Sequence, residues 1–226
     1  MFVHGYNVTF NEAAIRAGQL SYDLKIQNAA FFSWPSLGKI SAYPADEVSV
    51  ANAEPHLMEF LLHFDRIAFL QQRPLHIIAH SMGNRLLLRA LQRINDKGMV
   101  LRSLSRIVFA APDEDKDIFE RMVNELSGVG SGKTLYATSK DLALAASGAL
   151  HGAPRAGTLP PAALAPGLDT IDAAGVDQTF MGHGDFASQR PLLGDMFTWL
   201  SQGTPPNQRA SLKPVIDTNG NYWRIT

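Results

Sequence analysis

The chain predicts an α/β fold, a mostly parallel sheet with helices on both faces, on three observations. Short apolar segments alternate with amphipathic ones along most of its length. The apolar segments are unbroken rather than alternating in polarity, as expected of strands covered on both sides. One of them, Leu75-His76-Ile77-Ile78-Ala79-His80, runs straight through Ser81-Met82-Gly83 into a helix. With 226 residues, 46% of them hydrophobic, the chain can bury one substantial core. We therefore expect one domain over residues 1–202, with 203–226 as a tail docked on it.

Phe2-Val3-His4-Gly5 reads as the end of a buried strand. Thr9 and Glu12 have the capping-box spacing and open a helix that turns Ala13, Ala14, Ala17 and Leu20 inward. A second strand is expected over Ala29 to Trp34, stopped by Pro35, followed by a surface loop through Tyr43 and Asp46. Leu57, Phe60, Leu61, Phe64 and Ala68 keep helical spacing between about Glu54 and Gln71. After the strand ending at His80, Leu87, Leu91 and Ile94 line one face of a helix and Arg85, Arg89 and Gln92 the other, with Gly98 to end it. Strands at Arg106 to Ala111, Thr134 to Thr138 and Leu168 to Asp172 follow, with a helix at Asp117 to Leu126 and a last one at about Pro191 to Leu200. Residues 148–166 are rich in Ala, Gly and Pro and carry no clear element; the tail reads as irregular chain held by Tyr222-Trp223. The expected strand order is second, first, third, fourth, fifth, sixth, with a site at the carboxyl edge where the order reverses.

Composition excludes several functions. A net charge of −1 with no Lys/Arg run gives no electrostatic footprint for nucleic acid or an anionic membrane. No apolar stretch reaches membrane-spanning length. The absence of cysteine rules out thiolate metal sites and leaves cytoplasm and periplasm equally open. Ser127 to Thr134 ends like a phosphate-binding loop at Lys133, yet it leaves a helix and enters a strand, the reverse of what phosphate binding requires. No cofactor or metal is expected.

The junction at Ser81 carries the chemistry. A serine hydroxyl becomes a nucleophile only where a base can reach its proton, and Ala79-His80-Ser81-Met82-Gly83 is a G-x-S-x-G turn with alanine in the first position. The bland alternative is that Ser81 merely caps the following helix. Of seven histidines, only His151 and His183 follow Ser81 outside its own strand and helix; His183, in Gly182-His183-Gly184 after the last parallel strand, is the expected base. Asp141, beyond the strand that ends at Thr138, is favoured as the acid because that placement is the commoner one in hydrolases. Asp113, after the preceding strand, is the alternative acid or else a loop anchor. The backbone N–H groups of Tyr6 and Met82 are the expected oxyanion donors. This constellation implies hydrolysis of a small-molecule carboxylic ester or thioester through an acyl-serine; the alternatives are acyl transfer to an alcohol, or a catalytically silent interaction module.

The segments Phe2-Val3-His4-Gly5-Tyr6-Asn7, Phe32-Ser33-Trp34-Pro35-Ser36 and Ala79-His80-Ser81-Met82-Gly83-Asn84 resemble an uncharacterised bacterial family of α/β-hydrolases. The similarity continues through Ala111-Pro112-Asp113, Ser139 to Leu144, Thr170-Ile171-Asp172 and Gly182-His183. The resemblance implies an α/β-hydrolase fold, with Ser81 as nucleophile, His183 as base and Asp141 as acid. Members of that family carry strands before the first motif, so the sheet is expected to lack its N-terminal strands.

Overall fold

The computed structural model describes residues 1–174, 190–218 and 220–226. Its strands are β1 (Phe2–Val3), β2 (Phe31–Phe32), β3 (Leu75–His80), β4 (Leu104–Ala110), β5 (Gly132–Ala137), β6 (Leu168–Asp172), β7 (Leu212–Asp217) and β8 (Gly220–Ile225). Its helices are α1 (Phe10–Asp23), α2 (Tyr43–Asn52), α3 (Glu54–Leu70), α4 (Met82–Asp96), α5 (Lys116–Glu125), α6 (Leu142–His151) and α7 (Arg190–Gln202). The strands form one sheet in the order β2-β1-β3-β4-β5-β6-β8-β7, parallel throughout except for the β7–β8 pair. The order of the first six is the expected one, with the reversal between β1 and β3.

Strand alternation sorts the core into two layers. Ile77, Ala79, Ile107, Phe109, Leu135 and Ala137 pack with Leu57, Leu61, Leu87, Leu91 and Phe119 on the face covered by α3, α4 and α5. Ile78, Val108, Tyr136 and Ile171 point the other way, onto Ala17 and Leu20 of α1 and Leu192, Met196 and Trp199 of α7. Each central strand is apolar on both faces because each face is covered, which is why these segments read as unbroken apolar runs. The Thr9–Glu12 capping box forms as the spacing predicts: Thr9 takes the Glu12 N–H, and the Glu12 carboxylate takes the Thr9 N–H at 2.8 Å.

Four expectations are corrected. The loop foreseen through Tyr43 and Asp46 is helix α2, which starts with Pro44 in its first turn and buries Asp46 and Val50. One of these two buried residues is a carboxylate, which leaves too few apolar positions for periodicity to reveal the helix. The breaker-rich stretch from 148 begins inside α6, which Asp141 caps and Gly152 ends in the left-handed conformation at φ 69°. The tail is not irregular: β7 and β8 form a hairpin whose second strand joins β6 through Trp223 and Arg224. Strand β2 is also shorter than Ala29–Trp34, because only Phe31 and Phe32 pair with β1.

A buried ion pair ties the C-terminal segment to the sheet. Asp195 of α7 accepts from Arg209 at 2.8 Å, from the Tyr136 hydroxyl at 2.6 Å and from Ser211 at 2.7 Å. Arg209 also lies over the Trp199 ring, 5.1 Å from its centroid. Removing one partner of such a cluster strands the others in the core, at a cost of roughly 3–5 kcal/mol. Asp195→Ala should lower the urea unfolding free energy by about that amount, whereas Ser211→Ala, which removes one hydrogen bond, should cost roughly 1 kcal/mol. Equal effects for the two variants would show that the ion pair contributes no more than a single bond.

Candidate active site

Strand β3 stays buried to Ala79 and α4 begins at Met82, so Ser81 alone makes the turn, at φ 50° and ψ −126°. An L-residue held there costs on the order of 1–3 kcal/mol. The backbone of Ser81 is tied down on both sides. Its N–H donates to Ala110 O at 3.0 Å, and its carbonyl accepts from the Asn84 N–H, the Asn84 side-chain amide and the Asp113 N–H at 3.0, 3.0 and 3.2 Å. The hydroxyl does not cap α4, so the capping role weighed for Ser81 is not the one it plays.

Two glycines let β1 approach this turn. A Cβ on Gly83 would stand 2.9 Å from Val3 O and closer still to His4 O, and one on Gly5 would stand 2.8 Å from the Ser81 Cβ. Either contact is closer than a methyl can make. Ala79, by contrast, faces the packed core and has room for its methyl. The close approach brings the Gly5-Tyr6-Asn7 turn beside the N-terminus of α4. Among the described residues, no acceptor takes the N–H of Tyr6 or of Met82.

The turn after β1 is pinned from α2. Asn7, at φ 57°, donates its N–H to Asp46 at 3.3 Å, and Asp46 also takes the Ser36 hydroxyl at 2.6 Å and the Leu37 N–H at 2.9 Å. Beside this turn, on the α1 side, lies a cavity of about 370 Å³ lined in part by Phe2, Asn7, Val8, Ile15, Gln19 and His80.

The two candidate acids have different surroundings. Asp113 is buried, takes the Tyr43 hydroxyl at 2.7 Å and the Ser147 hydroxyl at 2.6 Å, and has the Arg155 guanidinium at 3.6 Å. Both of its oxygens are committed to a junction of α2, α6 and the loop before Gly157. Asp141 is half-buried and caps α6 through one oxygen, which takes the Leu144 N–H at 3.0 Å. Burial pushes its carboxyl above the ordinary value; the Leu144 and Ala143 N–H groups pull it down and the Asp113 charge pushes it up. Burial also raises the Tyr6 phenol, followed by the charges of Asp113, Asp141 and Asp46. The Tyr6 ring meets Tyr43 edge-on at 5.2 Å.

No described histidine hydrogen-bonds Ser81. Burial first, then Arg16 and His4, lowers His80 to about 3, and burial with Arg106 and the N-terminal ammonium lowers His76 to about 4; both are neutral at pH 7. His56 and His63 are exposed on α3. His151 has both ring nitrogens engaged, Nδ1 with Ser147 O at 2.8 Å and Nε2 with Glu47 at 2.9 Å. His183 lies outside the described residues.

Sequence reading missed Asn84, Asp46, Tyr43, Ser147 and Arg155. Apart from Asn84, which sits in the serine motif, their partners lie far off in sequence, Ser147 being 34 and Tyr43 70 residues from Asp113, so no local pattern could have found them. The loop resembling a phosphate site joins α5 to β5 as foreseen, and buries Lys133 with its ammonium 3.5 Å from Ser127 O.

No described helix is long and apolar enough to cross a membrane. No curated protein and no solved structure matches the chain. Over residues 1–198 it matches the family described as an alpha/beta hydrolase of unknown function (DUF900), and with that extent of match and this sheet order the chain belongs to that α/β-hydrolase family.

Proposed function

We propose that this protein is a serine hydrolase that cleaves a small-molecule carboxylic ester or thioester through an acyl-serine intermediate. The observation that carries this reading is Ser81: it is held in a strained turn, its hydroxyl does not cap its own helix, and the nearby Tyr6 and Met82 N–H groups have no acceptor among the described residues. Enzymes keep such strain where it presents a reacting group.

Ser81 Oγ attacks the acyl carbon and passes its proton to His183. The oxygen that becomes negative is taken by the N–H groups of Tyr6 and Met82, the latter at a helix N-terminus where the dipole favours negative charge. The tetrahedral adduct collapses, the C–O or C–S bond to the leaving group breaks, and His183 returns the proton to the departing alcohol or thiol. Water then attacks the acyl carbon while His183 takes its proton, the bond from the acyl carbon to Ser81 Oγ breaks to release the acid, and His183 returns the proton to Ser81. Asp141 holds the imidazole in the required tautomer. The preference for Asp141 rests on its remaining oxygen: only one of its oxygens accepts a bond, as a cap, whereas both oxygens of Asp113 already accept a hydroxyl and its charge faces Arg155.

A fluorophosphonate probe should label the protein on Ser81 alone. Ser81→Ala should abolish the label and lower ester turnover by roughly 10⁴ to 10⁶. Labelling that survives the substitution would sink the hydrolase reading.

The two acids should separate cleanly. Asp141→Asn should leave the circular dichroism spectrum unchanged while turnover falls by roughly 10⁴. Asp113→Asn should instead destabilise the fold, by up to roughly 3–5 kcal/mol for a buried pair that is broken, while the folded fraction keeps most of its turnover. The reverse pattern on a single activated ester would make Asp113 the acid.

Hydrolysis should rise with pH from the acid side, because His183 must be neutral to accept the serine proton. Asp141 adds to this limb: burial raises its carboxyl, so on acidification it takes up a proton before an exposed aspartate would, and the charge that orients the imidazole is lost earlier. A rate that stays flat from about pH 5 to 8, on either side of the ordinary histidine value, would argue against a histidine base.

A further inference from the structure

Gly5 is needed for space against Ser81, and that same lack of a side chain leaves the Gly5–Tyr6 peptide able to turn over. Something else must therefore fix which way the Tyr6 N–H points. We propose that His4, held as its Nδ1–H tautomer, is a positioning residue that aims the Tyr6 N–H at the developing oxyanion; its purpose rests on the hydrolase reading above.

The tautomer follows from the bonds. The Trp34 N–H lies 3.2 Å from His4 Nε2, and a backbone N–H can only donate, so Nε2 presents its lone pair. The Ser33 hydroxyl stands 3.3 Å from the same nitrogen. The ring proton is thus on Nδ1, which lies 2.8 Å from Gly5 O and donates to it. Burial holds the imidazole below its ordinary pKa, against the pull of the Gly5 O bond and of Asp46, so the ring is neutral at pH 7.

The consequence is geometric. The Gly5–Tyr6 peptide is trans, and in a trans peptide the carbonyl and the following N–H point in opposite directions. Drawing Gly5 O onto the His4 ring turns the Tyr6 N–H away from that ring. The ring itself cannot swing, because it is buried, stacks on Trp34 at 5.1 Å and 9°, and has its own carbonyl bonded by the Trp34 indole N–H at 2.8 Å. Asp46 fixes the far end of the same turn through the Asn7 N–H.

Two amide substitutions divide the roles of the ring. In His4→Asn the side-chain nitrogen falls where Nδ1 was and can still donate to Gly5 O; in His4→Gln the amide reaches the Nε2 position and can still accept from Trp34. Both lose the stack. Their kcat and KM on an activated ester, with melting temperatures, should show His4→Gln reduced in kcat by roughly 10² to 10³, the scale of one lost oxyanion donor, with KM within about twofold. His4→Asn should recover most of that loss even where it melts lower. Equal kcat values, or values that simply follow the melting temperatures, would overturn the proposal. Nitrogen NMR of the histidine-labelled native chain gives a readout that does not depend on activity: His4 should carry its proton on Nδ1 at pH 7, and a ring protonated on Nε2 would overturn the assignment. Failure of the native chain to label at Ser81 would strike the hydrolase reading instead, and leaves the tautomer measurement to decide His4.

Discussion

The site depends on one close approach, the end of β1 against the first turn of α4. The backbone at Val3 and His4 lies so near Gly83, and Gly5 so near Ser81, that neither glycine position accepts a side chain. This contact brings the Gly5-Tyr6-Asn7 turn beside Ser81 and the start of α4. The strain of the turn, on the order of 1–3 kcal/mol, is offset locally. Four hydrogen bonds hold the Ser81 backbone, at roughly 0.5–1.5 kcal/mol each, and two come from the single buried side chain of Asn84 and its own N–H. The turn persists because its surroundings fix it more firmly than its own torsions resist.

Buried carboxylates do the bracing around this contact, and the number of donors each receives separates brace from candidate catalyst. Asp46 takes donors from Asn7, Ser36 and Leu37, and so joins the turn after β1 to α2 and to the chain after β2. Asp113 takes two hydroxyls and faces an arginine, joining α2 to α6. Each oxygen of Asp113 already accepts a hydroxyl and the charge already faces a guanidinium, so an imidazolium beside it would add less than it would beside a carboxylate with a free oxygen. Asp141 takes one backbone N–H, at the edge of the sheet, with its charge penalised by burial and by Asp113. A carboxylate that is poorly compensated on its own is the one with most to gain from an imidazolium beside it.

What could be read from the sequence was whatever local periodicity encodes. The central strands, α1, α3, α4 and α5 and the strand order were legible, because each buries an apolar face at a regular spacing and each βα unit crosses the same way. The motif around Ser81 was legible because it joins a strand period to a helical one. Helix α2 escaped because its buried residues are Val50 and a carboxylate, Asp46, and α6 because Leu144 and Ser147 are its buried residues while Leu142 and Leu150 face outward. The tail was misread because its strands have half-exposed faces and a proline, Pro214, inside β7, which sits at the sheet edge where proline is tolerated. The bracing network was illegible for a different reason: it consists of side chains tens of residues apart, which only the folded topology brings together.

That hairpin also bears on the chain that carries His183. Asp172, at the end of β6, is bound by Arg224 of β8 at 2.8 Å and takes the Ala174 N–H at 2.8 Å, so the point where the chain leaves β6 is fixed by a residue some fifty positions later. Helix α7, where the described chain resumes, is fixed by Asp195 through Arg209 and Ser211, which also follow it in sequence. Both flanks of the segment holding His183 are thus held by residues beyond 203. A catalytic base must arrive within hydrogen-bond reach of its nucleophile, and the tolerance for misplacement is about an ångström. In the proposed mechanism, residues that pack nowhere near Ser81 therefore bear on where His183 can stand, by holding the two described ends between which residues 175–189 run, and these bonds join the C-terminal hairpin to the rest of the chain even though the family match stops at residue 198.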